Sequence, residues 1–254
     1  MKLEVLGCFG NVAEGCRTSA FLVNDRVLFD AGTVTEILSP ERLKGISHVC
    51  LSHIHLDHVK GLCSLAEELS MHEDRGVVVL AGQSVLTALS QHVFNNVLWP
   101  DFTAIPNRTN PIVRLQVIEP FEHTLVDSLS IQAIPVEHRV PTTGFLVKEG
   151  EKTIMLTSDT GMTEQFWETA KGEEHVEFII AHVAFPNRLS TLASAAGHMT
   201  LSVLLDRIDT YCLHHIPFYI AHMKSMFAEE ILREIRDAKR QYLRVLEQGS
   251  VLFA

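Results

Sequence analysis

His53-Ile54-His55-Leu56-Asp57-His58 follows directly on an apolar run, His48-Val49-Cys50-Leu51, so six residues offer three imidazoles and a carboxylate at the end of a short strand. Neutral imidazole and carboxylate are ligands that zinc, iron and manganese accept, and the stretch therefore reads first as a metal site. Its spacing suggests how two ions would share it. In an extended segment alternate side chains fall on one side, which lets His53 and His55 close on one ion while Asp57 and His58, past a bend, face a second. A His-rich surface loop is the plain alternative.

The chain has 254 residues, of which 46% are hydrophobic and 20% charged. That is enough to bury a substantial core, and with no linker, repeat or low-complexity tract the pattern predicts a single domain over residues 1–254. Short strands followed by amphipathic helices place it in the α/β class. A net charge of −10 with dispersed Lys and Arg excludes a general affinity for a nucleic-acid polymer, because counterion release requires a basic stripe. An anionic substrate must be drawn locally, and bound divalent ions would do that. No run is long enough to span a bilayer, and Met1 to Gly7 reads as a strand rather than a signal peptide. Five cysteines without CxxC spacing predict reduced thiols and a cytoplasmic protein with no membrane partner. Cys63 reads as a small buried hydrophobe, with approach to a metal as the alternative.

Further chemistry sits at strand ends. Leu129 to Val136 runs into Glu137-His138, Thr153 to Thr157 into Ser158-Asp159-Thr160, and Pro217 to Ile220 into Ala221-His222. One such histidine is usually a core residue, but four strand ends carrying ligand-type groups predict one site built at one edge of a sheet. His182, after Phe178 to Ala181, competes with His222 for a ligand place. The periodicity predicts a hairpin of Ser19 to Val23 with Arg26 to Asp30 around Asn24-Asp25, and a strand over Val77 to Ala81 followed by a helix from about Ser84. It also predicts a helix over Val59 to Met71 and a closing helix over Phe227 to Tyr242 with Glu229 paired to Arg233. In Gly197-His198-Met199-Thr200, Thr200 either caps a helix starting near Leu201 or supports His198 in chemistry. Gln83 to Pro111 is long for a plain connection and reads as a lid or an interface, with Phe94 and Trp99 either core or a stacking surface. His48, His72, His123, His175, His214 and His215 read as solvated.

With these residues in view, the chain resembles the metallo-β-lactamase superfamily, through His53, His55, Asp57 and His58, the later His138, Asp159 and His222, and an Asp-x-Gly turn at Asp30-Ala31-Gly32. More narrowly, His53-x-His-Leu-Asp-His-Val-x-Gly-Leu62, His92 to Phe102 with its Phe-Asn and Trp-Pro-Asp pairings, Phe185-Pro186-Asn187, Gly197-His198-Met199-Thr200 and His222-Met223-Lys224 are similar to class II cyclic-nucleotide phosphodiesterases. Two departures stand out: Cys63-Ser64-Leu65 where that family continues apolar to a Ser, and Ala184 where it has Ser before Phe-Pro-Asn. The resemblance implies a four-layer αββα sandwich holding two divalent ions, zinc foremost with manganese or iron as alternatives. One ion would take His53, His55 and His138, the other Asp57, His58 and His222. Asp159 would bridge them, with a water or hydroxide as second bridge. It implies hydrolysis of a small 3′,5′-cyclic nucleotide, cyclic AMP or GMP, to the 5′-monophosphate by a homodimer. Asp57 would orient the attacking water and His198 would protonate the leaving oxygen or bind a phosphoryl oxygen. Thr200, Asn187, Trp99 and Lys224 are the expected substrate contacts. Hydrolysis of another small phosphodiester, a thioester or a lactone, a tRNA 3′-processing nuclease, and a non-catalytic nucleotide sensor are the competing readings.

Overall fold

The computed structural model describes residues 1–72 and 76–254. Alternation within very short strands explains its layering. In Phe21-Leu22-Val23 and Val27-Leu28-Phe29 the outer residues of each triplet enter one core and the middle leucine another. Strands buried on both faces need a layer on each side.

The first sheet holds β1 (Lys2–Gly7), β2 (Ala20–Val23), β3 (Val27–Phe29), β4 (His48–Cys50), β5 (Val77–Ala81) and β6 (Val113–Val117). The second holds β7 (His123–Val126), β8 (Leu129–Val136), β9 (Thr142–Glu149), β10 (Lys152–Leu156) and β11 (Val176–Phe185), with the two-residue β12 (Met199–Thr200) beside β11, then β13 (Phe218–Ala221) and β14 (Leu243–Val245). Finally β15 (Val251–Phe253) returns antiparallel to β1. Parallel pairing runs through β3-β4-β5-β6 and through β10-β11-β13-β14, so strand ends collect on common edges. The helices are α1 (Pro40–Leu43), α2 (Leu56–Ser70), α3 (Gln83–Ala88), α4 (Gln165–Gly172), α5 (Ser190–Ala196), α6 (Leu201–Tyr211) and α7 (Ala228–Ala238).

Three main cores set the layers. Leu62, Leu65 and Leu69 of α2 pack with Leu22, Leu28 and Val49 of the first sheet. Phe21 and Phe29 meet Phe145, Ile154 and Ile180 between the sheets. Phe166 and Trp167 of α4, Leu204 and Ile208 of α6 and Ile231 of α7 cover Met155, Ile179 and Phe218 on the far face. Each such buried Leu or Phe contributes roughly 1.5–3 kcal/mol. The result is a four-layer αββα sandwich, the arrangement that the resemblance implies.

Several expectations are corrected in detail. Helix α2 starts at Leu56, not Val59, because His55 leaves the strand extended (φ −60°, ψ 145°) and Asp57 suits the positive end of the helix in its first turn. Asp57 and His58 are thus helical, and the bend inferred after His55 is a helix start. The strand expected to end at Ala181 continues to Phe185, which keeps His182 inside it. The closing helix is Ala228–Ala238, since Ser225–Phe227 is a 3-10 turn and Lys239, at φ +48°, ends the helix. Glu229 forms no ion pair with Arg233 among the described residues; Glu230 pairs with Arg188 at 2.8 Å. Asn24 and Asp25, at φ +49° and +57°, make the expected hairpin turn. No helix among the described residues is long and apolar enough to cross a membrane, and the five cysteines are unpaired thiols.

Candidate metal centre

Four strand ends deliver the site. His53 and His55 follow β4, Asp57 and His58 open α2, His138 lies two residues past β8, Asp159 three past β10, and His222 directly after β13. For His53, His58, His138 and His222 an outer partner fixes which nitrogen turns inward. His138 Nδ1 donates to the Gly197 carbonyl at 2.7 Å, and His58 Nδ1 donates to Asp30 Oδ2 at 2.7 Å. Ser52 Oγ donates to Asp30 Oδ2 at 2.9 Å and so accepts from His53 Nδ1 at 2.9 Å. Ser19 Oγ meets His222 Nδ1 at 3.1 Å. Such outer bonds fix the tautomer and leave the Nε2 lone pairs facing inward.

The inward atoms form two adjacent sets. His55 Nδ1 lies 3.0 Å from His53 Nε2 and 3.2 Å from His138 Nε2. Asp57 Oδ2 lies 3.7 Å from His58 Nε2 and 3.8 Å from His222 Nε2. Asp159 stands between them: its Oδ2 is 3.7 Å from His53 Nε2, 3.9 Å from His138 Nε2 and 3.5 Å from His58 Nε2, while Oδ1 is 3.1 Å from His222 Nε2. The donor atoms of His53, His55, His138 and Asp159 all fall within 4.8 Å of one another, as do those of Asp57, His58 and His222. His58 Nε2 is buried without a hydrogen-bond partner. Converging nitrogens and an orphaned buried ring atom fit a pair of divalent ions better than they fit a hydrogen-bonded network.

Backbone shape supports this. Asp30, Ser158 and His222 all take positive φ, at +56°, +54° and +63°, a strain tolerated where surrounding contacts over-determine the turn. Gly10 has no side chain because a Cβ there would lie 2.5 Å from the His222 carbonyl and 2.8 Å from its ring.

Burial dominates the protonation states. It pushes His53 well below its usual range and lowers His55, and it brings His222 to about 3 and His198 to about 4. For His58 burial works the same way, but the Asp30 and Asp159 carboxylates carry it well above 6.5. Burial would raise Asp159, yet His222, His58 and the bond from His182 hold it well below the carboxylate range.

The remaining candidates fall on the rim or away from it. The His198 ring stacks over His222 at 5.7 Å and meets His138 edge-on at 5.0 Å, with Nδ1 3.9 Å from Asp159 Oδ2. Its donor atom, with those of Asp159 and His222, makes a third close group. Lys224 holds its ammonium 5.5 Å over the Phe185 ring, and Phe185 in turn packs on His198 at 5.7 Å. Thr200 heads α6 but makes no side-chain cap; its Oγ meets Ser202 Oγ at 3.0 Å. Asn187 does that work, its Oδ1 accepting from Ser202 N at 2.8 Å. Trp99 pairs with Phe94 and packs on the first-layer core, as Cys63 does. His182 was the least expected: its Nδ1 donates to Asp159 Oδ1 at 2.8 Å. Ser19, Ser52 and the Gly197 carbonyl carried no sequence signal, whereas Asp30 was marked by its Asp-x-Gly turn.

Fold and site together define a class, αββα hydrolase-type proteins with a histidine and aspartate cluster at the sheet edges. The chain belongs to the beta-lactamase superfamily domain family, whose model matches residues 25–214. It is similar to a protein of Yersinia pestis named probable 3′,5′-cyclic-nucleotide phosphodiesterase, 23% identical over 98% of this chain and 84% of the relative. A ribonuclease Z of Parabacteroides distasonis is 30% identical over 59% of this chain and 50% of its own length. Among solved structures, unliganded yeast PDE1 superposes with a TM-score of 0.84 at 17% identity, covering 100% of this chain and 99% of that one.

Proposed function

We propose that this chain is a two-metal phosphodiesterase acting on 3′,5′-cyclic nucleotides. The observation that carries the reading is Asp159, one buried carboxylate grouped with His53, His55 and His138 and lying 3.5 Å from His58 Nε2 and 3.1 Å from His222 Nε2 of the second set. The relative named as a cyclic-nucleotide phosphodiesterase, matched over nearly the whole chain, supports the substrate class.

When bound by these two sets, divalent ions would supply Lewis acidity to an anionic phosphodiester and lower the pKa of a bound water. Asp57, half-buried at the start of α2, accepts a hydrogen bond from the attacking water and aims it. His198 is neutral at pH 7, which suits an N–H donor to a phosphoryl oxygen better than a proton donor. Lys224, beyond it over Phe185, adds positive charge on the same side. Thr200 and Asn187 act one step back by holding the turn that carries His198. Trp99 is assigned to packing against the first-layer core.

A second reading, a tRNA-processing nuclease, has support from the ribonuclease Z relatives, but a net charge of −10 does not suit gripping a polyanion. Turnover of cyclic AMP, cyclic GMP, bis-p-nitrophenyl phosphate, a lactone panel and a tRNA precursor by the zinc- or manganese-loaded protein tests both. Hydrolysis of a cyclic nucleotide to its 5′-monophosphate, with tRNA uncut, is expected. Activity on the aryl diester alone would remove the cyclic-nucleotide assignment.

A further inference from the structure

We propose that His182 is the positioning residue of Asp159, the group that turns one carboxylate oxygen toward both ions; this rests on the two-ion reading above. Strand β11 places it. Ala181 and Val183 enter the outer core, so His182, between them, projects from the opposite face, into the space between the sheets. It pairs with Ala221 of β13, which brings its ring parallel to that of His222 at 4.7 Å and 7°. The side chain is 2% exposed.

The two oxygens of Asp159 have different surroundings. Oδ2 faces ring nitrogens of both ligand sets, from 3.5 to 3.9 Å. Oδ1 has two neighbours, His222 Nε2 at 3.1 Å and His182 Nδ1 at 2.8 Å. A nitrogen that gives its lone pair to an ion cannot also donate a proton, so once His222 Nε2 ligates, the His182 N–H is the donor left for Oδ1. That bond keeps the carboxylate from rotating and holds Oδ2 toward the ring nitrogens of both ligand sets. A ring serving only to pack would not need it: His182 Nε2 is buried with no partner, a penalty that Phe would avoid.

Two variants separate the hydrogen bond from the ring. His182→Phe keeps a ring against His222 and removes the N–H, whereas His182→Asn removes the ring and keeps an N–H near the position of Nδ1. Metal content by mass spectrometry and affinity by competition with a chelator are read on the full chain, with circular dichroism of each chelated protein as the folding control. The wild type is expected to hold two ions, His182→Phe to bind at least one of them about 10- to 100-fold more weakly, and His182→Asn to recover most of that loss. Phe binding as tightly as His, or Asn no better than Phe, overturns the proposal; the latter pattern would indicate a direct ligand or a packing role. A wild type holding at most one ion would instead sink the two-ion reading itself. Should the variants fail to fold, nitrogen NMR of the zinc-loaded wild type still decides, since a His182 ring protonated at Nε2 rather than Nδ1 contradicts the assignment.

Discussion

A histidine offers two nitrogens, and in this centre the one facing outward is as decisive as the one facing in. Asp30 serves two rings at once, accepting from His58 directly and reaching His53 through Ser52, whose backbone N–H also donates to it at 2.8 Å. Asp30→Ala removes both supports and leaves the His58 Nδ1 N–H buried without its carboxylate acceptor. Metal affinity should fall by about 10- to 100-fold, and the chelated protein should lose roughly 3–5 kcal/mol, read by calorimetric metal titration and urea unfolding. His198 is different, because its ring is not needed to complete either donor set. His198→Ala should keep two ions per chain while lowering kcat by about 10²–10³, the loss of one preorganised hydrogen-bond donor; loss of an ion with the activity would make it a ligand instead. The inner groups were legible because ligand-type residues recur after apolar strands. Of their outer partners only Asp30 was marked, by its Asp-x-Gly turn; Ser19 and His222, for example, are 203 residues apart and only the packed sheets bring them together. His182 was legible as a rival ligand, but with a strand end expected at Ala181 rather than Phe185 its bond to Asp159 could not be read.

At the scale of elements, the centre depends on how closely the turn after β3 can approach the first turns of α2. Ala31 N donates to the His58 carbonyl at 2.7 Å, and Gly61 N donates to the Ala31 carbonyl at 2.7 Å. A Cβ on Gly32 would lie 2.2 Å from the Asp57 carbonyl and 2.5 Å from Thr18 Oγ1, so Gly32→Ala must push the helix start away. That change should cost about 1–3 kcal/mol in urea unfolding and weaken binding at the Asp57-His58-His222 set more than at the other. Gly82→Ala is its control: φ is −61°, nothing lies within 4 Å of the added Cβ, and the entropy gain offsets a poorer N-cap for α3, so stability should change by less than about 1 kcal/mol. Equal losses in both variants would show that the close approach is not what positions α2. The helix itself was readable from Leu62, Leu65 and Leu69, but its first turn carries ligands rather than an apolar stripe, and periodicity cannot see that.

Across the whole molecule, gathering these imidazoles into a buried edge makes stability depend on pH in a calculable direction. His53, His55, His198 and His222 are held neutral by burial, with His198 brought to about 4 and His222 to about 3. Their folded values lie below the unfolded value near 6.5, so as pH falls through 6.5 the unfolded chain takes up protons first. Stability is full above that point and is lost as pH falls toward the folded values. His198 and His222 each contribute up to about 1.4 kcal/mol per pH unit across this window. His58, raised well above 6.5 by Asp30 and Asp159, runs the other way, but below 6.5 it is charged in both states and adds no slope. Bound ions oppose unfolding only while their ligands are deprotonated, so the loaded protein should show the same acid loss together with metal release. Thermal melts from pH 7.5 to 4.5, with and without chelator, measure this. The chelated protein should melt lower at every pH and fall steeply below 6.5, with ions appearing in the filtrate of the loaded protein over the same range. A flat profile in the chelated protein would mean that the buried histidines carry their protons into the folded state, and that the cluster is held together by hydrogen bonds rather than poised for metal.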